Sequence, residues 1–273
     1  MSEAIFELDN ISYSYLGKIP ALCGVDLKVE KGERIALVGA NGSGKSTLLQ
    51  LLDGLIFPDK GIIKAFGEEL NESQFDNPEF SRNFRKKVAF LFQSSDVQLF
   101  SPTVKEDILF GPLQLGVPEG EIKKLFHELV DIFGLEKLLE RSPHQLSVGE
   151  KRKVAIAGTL AINPEVIILD EPTAGLDPRT VRQIIDIILD YSQKGKTIIT
   201  ATHDLHILGE IADKVYVFGS DKKIIRSGAI QEILSDKQFL EDNNLMHIHS
   251  HRHQDKIHVH SHEHLGHHHE GSN

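Results

Sequence analysis

The chain has 273 residues, enough for one large α/β domain or two modest ones with a sizeable core. Hydrophobic residues make up 40% and charged residues 26%, the balance of an ordinary globular protein rather than a disordered or membrane-embedded one. The formal net charge of −10 disfavours nucleic acid as a partner, because a phosphate backbone rewards a basic face.

Cys23 is the single cysteine and cannot form an internal disulfide. It fits a reducing compartment and reads as a small buried apolar residue. The start, Met-Ser-Glu-Ala-Ile, lacks the basic and apolar segments of a signal peptide. No run approaches the roughly 20 apolar residues that span a bilayer. The expectation is a soluble, cytoplasmic chain whose membrane role, if any, comes through a partner.

In chain order, residues 4–30 alternate apolar and polar side chains around Gly and Pro and read as antiparallel strands. Arg34 to Val38 is a short apolar strand running into a Gly-rich loop, and Thr47 to Leu55 continues as a helix. Residues 61–70 read as a strand and turn. Asn71 to Arg82, polar and carrying Pro78, reads as a surface loop, and Val88 to Phe92 as a strand. From Thr103 to about Arg141 the period is helical, with turns expected at Gly111-Pro112 and at Gly116-Val-Pro118. Ser147 to Ala161 and Arg179 to Gln193 read as helices. Val166 to Leu169 and Thr197 to Thr200 read as buried strands, and Lys214 to Phe218 with Lys223 to Arg226 as a closing hairpin. Residues 229–240 form a last short helix. Beyond about Met246 the composition turns histidine-rich and polar, and a tail disordered without a ligand is expected.

Three segments carry chemistry. Gly39-Ala-Asn-Gly-Ser-Gly-Lys-Ser46 fits G-x-x-x-x-G-K-[ST] between a strand and a helix. Gly42 and Gly44 let the backbone approach phosphates, and its N–H groups with the helix N-terminus favour the anion. Lys45 is placed to reach the β- and γ-phosphates, and the Ser46 hydroxyl to bind Mg²⁺. Val166-Ile-Ile-Leu-Asp-Glu171 is a buried strand ending in two carboxylates, Asp170 for Mg²⁺ and Glu171 as candidate general base. Leu146-Ser-Val-Gly-Glu150 opens a helix about 20 residues earlier and is a second phosphate-reading segment. If it cannot reach the chain's own phosphate loop, the working site is shared between two molecules.

The order of these motifs resembles that of the ATP-binding cassette ATPases over roughly residues 4–235. The resemblance also rests on Gln93, on Ala174 to Asp177 and on His203 in Thr-His-Asp. It implies an α/β P-loop NTPase fold: a mixed central sheet with an antiparallel β subdomain, and a helical subdomain over about residues 100–160. The ATPase domain would span 1–245 and the tail 246–273. ATP would contact Gly39, Ala40, Asn41, Gly42, Ser43, Gly44, Lys45, Ser46 and Thr47, with Tyr15 (Tyr13 being the weaker choice) stacked on adenine. Mg²⁺ would be held through Ser46, Gln93 and Asp170. The catalytic set would be Lys45, Gln93, Glu171 and His203. Ser147, Gly149, Glu150 and Asp177 would address the ATP of the opposite subunit. His127, His144 and His206 have no such support and read as surface residues. The usual family pattern is Leu-Ser-Gly-Gly-Gln, so Val148 and Glu150 are departures that bear on hydrolysis rate more than on ATP binding.

Residues 92–113 are similar to the same stretch of energy-coupling-factor transporters, importers of vitamins and of cobalt or nickel ions. The segment follows Gln93, where a transmembrane partner's coupling helix would dock. Eleven of the 15 histidines lie after Leu245: His247, His249, His251, His253, His258, His260, His262, His264, His267, His268 and His269. Alternate residues of an extended chain share a side, so several imidazoles can converge on Ni²⁺, Co²⁺ or Zn²⁺. The expected function is the ATP-hydrolysing subunit of a cobalt or nickel importer. It would work as a homodimer, or a heterodimer with a paralogous ATPase, on transmembrane coupling and substrate-binding subunits at the cytoplasmic membrane face. The alternatives are the ATPase of a vitamin-type energy-coupling-factor importer and a cassette ATPase acting on DNA or ribosomes. The acidic charge opposes the second.

Overall fold

The computed structural model describes residues 3–245 in full and the backbone of 247–253 and 256–262. Strands β1 (Ala4–Tyr15) and β2 (Ile19–Glu30) form an antiparallel pair. Strand β3 (Arg34–Gly39) leads through the Gly-rich loop into helix α1 (Lys45–Leu52). Strands β4 (Lys60–Ala65) and β5 (Glu68–Glu69) complete a four-stranded sheet in the order β2-β1-β4-β5.

Helices α2 (Glu72–Phe75) and α3 (Pro78–Lys87) then replace the surface loop expected over 71–82. The polar residues there are helix caps rather than loop signals. The Asn71 side chain accepts from Gln74 N at 2.9 Å, and Asn77 accepts from Glu79 N at 2.9 Å. Pro78 sits in the first helical turn, where its missing N–H costs nothing. Phe75 packs edge-on against Phe80 and Phe84, with ring centroids 5.4 and 5.1 Å away, and anchors the pair of helices.

Strand β6 (Val88–Leu91) enters the core. Helices α4 (Val104–Leu115), α5 (Glu119–Phe133) and α6 (Val148–Leu160) make up the helical region. The turn expected at Gly111-Pro112 is absent. Helix α4 runs through both residues with Pro112 buried, and stops at Gly116, which adopts φ 68°. A Cβ on Gly111 would lie 3.3 Å from Ile162, so this glycine serves close packing rather than a turn.

Strand β7 (Val166–Asp170), helix α7 (Pro178–Gln193), strand β8 (Thr197–Ala201) and helix α8 (Leu205–Ile211) follow. Strands β9 (Lys214–Phe218) and β10 (Ile224–Ala229) form the expected hairpin. The single helix expected over 229–240 is two, α9 (Ile230–Ser235) and α10 (Lys237–Asp242). Asp236 breaks them: its carboxylate caps α10 through Phe239 N at 3.1 Å and pairs with Arg226 at 2.6 Å. Beyond Leu245, β11 (His247–His253) and β12 (Lys256–His262) pair antiparallel, a pattern that His-x-His alternation with Ile and Val permits. His264, His267, His268 and His269 lie outside the described residues.

The central sheet has the order β10-β9-β3-β8-β7-β6, and β9, β3, β8, β7 and β6 run parallel. Every residue of β7 and β8 is buried. Successive residues serve opposite cores. Ile168 and Ile199 face a core shared with the antiparallel sheet and α1, whereas Ile167 and Ile198 face the one formed with α6, α7 and α8. Full burial of such a side chain stabilises by roughly 1.5–3 kcal/mol, which is why continuous apolar runs mark these strands.

Asp53 closes α1 inside the first core. Arg85 Nη1 donates to its Oδ2 at 2.9 Å and to its carbonyl at 3.1 Å. Burial pushes the Asp53 carboxyl up to about 7 against the opposing pull of Arg85. The folded protein therefore holds this proton more tightly than the unfolded chain, whose value is 3.8. The site's contribution to stability is full below the unfolded value and is lost as pH rises through about 7. Melting midpoints measured across that window should show Asp53→Asn with a flatter decline than the parent chain; equal slopes would remove Asp53 as the titrating group.

Candidate functional site

Parallel alignment brings the C-terminal ends of β3, β6, β7 and β8 to one edge of the central sheet. The residues that follow them are Gly39 to Ser46, Gln93, Glu171 and His203. Tyr15, Asn41, Gly42, Gly44, Lys45, Ser46, Thr47, Gln93 and Glu171 line one cleft of about 420 Å³.

The loop's shape requires glycine at Gly44. It adopts φ 113°, and a Cβ there would stand 2.4 Å from the Ala21 carbonyl. Helix α1 begins at the next residue, so its free N–H groups point into the loop. Lys45 is buried, and its Nζ donates to the carbonyls of Gly39 (2.7 Å) and Ala40 (3.2 Å). Burial lowers the Lys45 pKa, and the nearby Glu171 and Asp170 carboxylates raise it. Tyr15 is 39% exposed at the cleft mouth, with its hydroxyl 3.0 Å from Thr47 Oγ1 and its ring edge-on to Tyr13. That places a partly exposed aromatic ring beside the phosphate loop.

Asp170 ends β7 and is buried. Burial raises its pKa, while the Ser46 hydroxyl bond, Lys45 and Arg152 lower it. Its Oδ1 has no protein partner. A hydroxyl and a carboxylate with a buried free oxygen are hard ligands that suit Mg²⁺. Glu171 is also buried and adopts φ 46°, a left-handed backbone that few non-glycine residues take. Its Oε1 lies 2.8 Å from His203 Nδ1, and its Oε2 accepts from Thr202 Oγ1 at 3.3 Å. Both carboxylate oxygens are thereby held in place. Gln93 is exposed and lines the same cleft.

Several site residues carried no recognisable signal. Arg152 on α6 is buried, donating to the Phe92 carbonyl at 2.7 Å and to the Glu171 carbonyl. It ties the helical region to the segment before Gln93 and to the acidic strand end; a cation inside a buried helix face is the hint that could have found it. Gln98 accepts from Phe92 N at 3.3 Å and donates to Thr159 at 3.0 Å, steadying the same segment. Lys222, on the β9–β10 turn, donates to the Gly42 carbonyl at 2.5 Å and lines the cleft.

Ser147, Gly149, Glu150 and Asp177 are not among the residues described as lining that cleft. They gather on a second surface. A Cβ on Gly149 would lie 4.0 Å from Asp177 Oδ2 and 3.8 Å from Thr180 Oγ1. Asp177 caps α7, accepting from Arg179 N and Thr180 N at 3.1 Å each and from Thr180 Oγ1 at 2.6 Å, bonds that lower its pKa. His127, His144 and His206 are exposed. Cys23 is half-buried rather than fully buried as expected. Among the described residues, no helix is long and apolar enough to cross a membrane.

Comparison with known proteins agrees with this geometry. The family model for the ABC transporter matches residues 22–174. The nickel import ATP-binding protein NikO of Rhodobacter capsulatus is 44% identical over 88% of this chain and 95% of its own. The structure of CbiO1 from Clostridium perfringens, part of the ABC transporter complex CbiONQ, superposes with a TM-score of 0.74 at 35% identity, covering 89% of this chain and 95% of its own. A dimeric ATP-binding cassette in a post-hydrolysis state, bound to ADP and Pi, gives a TM-score of 0.74 at 28% identity over 82% of this chain and 98% of its own. A Gly-rich loop at a helix start, an acidic strand end with its histidine, and a separate helix start at Ser147 thus occur together in a chain of matching sequence and fold: this chain belongs to the ABC transporter family, as an ATP-hydrolysing subunit of the CbiO-like group.

Proposed function

We propose that this chain energises the import of cobalt or nickel ions, working as a head-to-tail dimer with two ATP molecules between the subunits. The observation that carries the dimer is the division of phosphate-reading groups between two surfaces of one chain. Lys45, Ser46 and Glu171 line the cleft, and Ser147 and Gly149 stand with Asp177 elsewhere. In this reading the loop from Gly39 to Thr47 binds the chain's own ATP, and Ser147, Gly149, Glu150 and Asp177 meet the ATP of the opposite subunit.

Ser46, Asp170 and Gln93 would hold Mg²⁺, which would neutralise phosphate charge when bound. Lys45 neutralises further charge on the β- and γ-phosphates. Glu171 accepts a proton from the attacking water, and His203 fixes the carboxylate's direction through the 2.8 Å contact. The work is mainly positioning and electrostatics in a buried pocket.

The partner surface is an apolar groove of about 430 Å³ that includes Leu55, Phe92, Leu99, Phe100 and Phe110. Phe100 is 64% exposed and Leu113, nearby on α4, is 62% exposed. We assign it to a coupling segment of a transmembrane subunit. It adjoins Gln93, so docking there can bear on the Mg²⁺ site and place the chain at the cytoplasmic membrane face. The metal assignment is supported by the nickel import relative and by the histidine tail. Backbone pairing sets His247 opposite His262, His249 opposite His260 and His251 opposite His258. Imidazole is a good ligand for Ni²⁺, Co²⁺ and Zn²⁺, so the tail captures or buffers such ions.

Membrane vesicles carrying this chain with the membrane subunits encoded beside it should take up Co²⁺ or Ni²⁺ in an ATP-dependent manner. Uptake of neither ion would contradict the metal reading. Glu171→Gln should retain ATP binding, trap a dimer and lower kcat by about 10²–10⁴-fold. Hydrolysis at the parent rate would remove Glu171 as the base. A chain ending at Leu245 should lose tight Ni²⁺ binding by calorimetry while keeping ATP hydrolysis; unchanged Ni²⁺ binding would dismiss the tail as a metal site.

A further inference from the structure

The start of α6 is already occupied by a carboxylate from its own chain. Ser147 N and Ser147 Oγ both donate to Glu150 Oε2, each at 2.8 Å, and Glu150 N returns a bond to Ser147 Oγ at 3.3 Å. This is a reciprocal cap of the kind that satisfies free helix donors. It also directs the Ser147 hydroxyl proton at one carboxylate oxygen. The bonds to Ser147 keep the Glu150 carboxyl below its ordinary value, so it stays ionised at neutral pH.

The local charge adds to this. Asp177 places a second carboxylate near Gly149. Lys151 pairs with Asp96 at 2.5 Å and Arg152 is bound to the Phe92 and Glu171 carbonyls, whereas Arg141 and Lys153 act on the Glu150 carboxylate and help to hold its pKa down. Val148 is 69% exposed, so the turn lies open at the surface while Ser147 N and Oγ are turned to Glu150.

We propose that Glu150 is a positioning residue that holds this surface in a self-occupied state, its carboxylate standing in for the neighbour's γ-phosphate. Closure of the dimer then requires the carboxylate to leave Ser147 before the hydroxyl can donate to ATP. The inference rests on the reading of Ser147 as a half-site for the opposite subunit. Glutamine at this position would keep an oxygen for Ser147 N, and so the cap, but would carry no charge to oppose the phosphate.

The test uses the full chain with Glu171→Gln, so that dimers form without turnover. Sedimentation at saturating Mg-ATP gives the protomer concentration at half-dimerisation. Adding Glu150→Gln should lower that concentration by about fivefold for each half-site, the effect of one unit repulsion at contact distance in water. The advantage should shrink with added salt. A merely structural role would give no such salt-dependent gain in dimerisation. Adding Ser147→Arg instead should abolish ATP-driven dimerisation while nucleotide binding to the single chain persists. Dimers that form despite Ser147→Arg would overturn the half-site reading itself. If Ser147→Arg blocks dimers but Glu150→Gln forms them no more readily than the parent, the proposed role of Glu150 is overturned while the half-site stands.

Discussion

The parallel alignment of β3, β6, β7 and β8 is the constraint on which the rest depends. Right-handed crossovers return each strand in the same direction, so the loops after the strands must emerge at one edge. The phosphate loop, Gln93, the Asp170–Glu171 pair and His203 are separated by up to 164 residues in the chain, and that edge collects them. The two cores hold the alignment. Each central strand sends alternate residues into opposite cores, so a slip of one residue would exchange every contact and displace the catalytic ends.

Burial gives the site its character. Lys45, Arg152, Asp170 and Glu171 are all buried, and isolated charges in such a place would be strongly unfavourable. They are stabilised as a group, two cations against two anions, each with hydrogen bonds to backbone or neighbours. Asp170 Oδ1 is the exception that lacks a partner, and the metal reading accounts for it. The left-handed backbone at Glu171 belongs to the same design, since it turns the carboxylate back towards His203 and Thr202.

Much of this was legible in the sequence because it is encoded locally. The Gly-rich loop needs glycines at fixed offsets, and the buried strands need unbroken apolar runs. What escaped was mostly tertiary or positional. Pro78 and its flanking asparagines suit a loop and a capped helix equally well, and only the packing of Phe75, Phe80 and Phe84 selects the helices. Gly111-Pro112 has the composition of a turn but is carried inside α4, where Pro112 is buried and Gly111 packs close to Ile162. Arg152 and Lys222 act through carbonyls that are distant in sequence, so no local pattern announces them. The loop from Gly39 to Ser46, Gln93 and Glu171 lie at one cleft with His203 beside Glu171, and Gly149 lies with Asp177 on another surface, groupings that no local pattern in the sequence specifies.

The central claim is that the working site is built from two chains, one supplying Lys45 and the other Ser147. Complementation counts it directly. One chain carries Glu171→Gln with Lys45→Ala, the other Glu171→Gln with Ser147→Arg, and neither alone should form a dimer that traps ATP through gel filtration. Mixed dimers contain a single composite site in which both Lys45 and Ser147 are intact, so the mixture should trap one ATP per mixed dimer. No trapped ATP in the mixture, or ATP trapped in a dimer of the Ser147→Arg chain alone, would contradict a shared site.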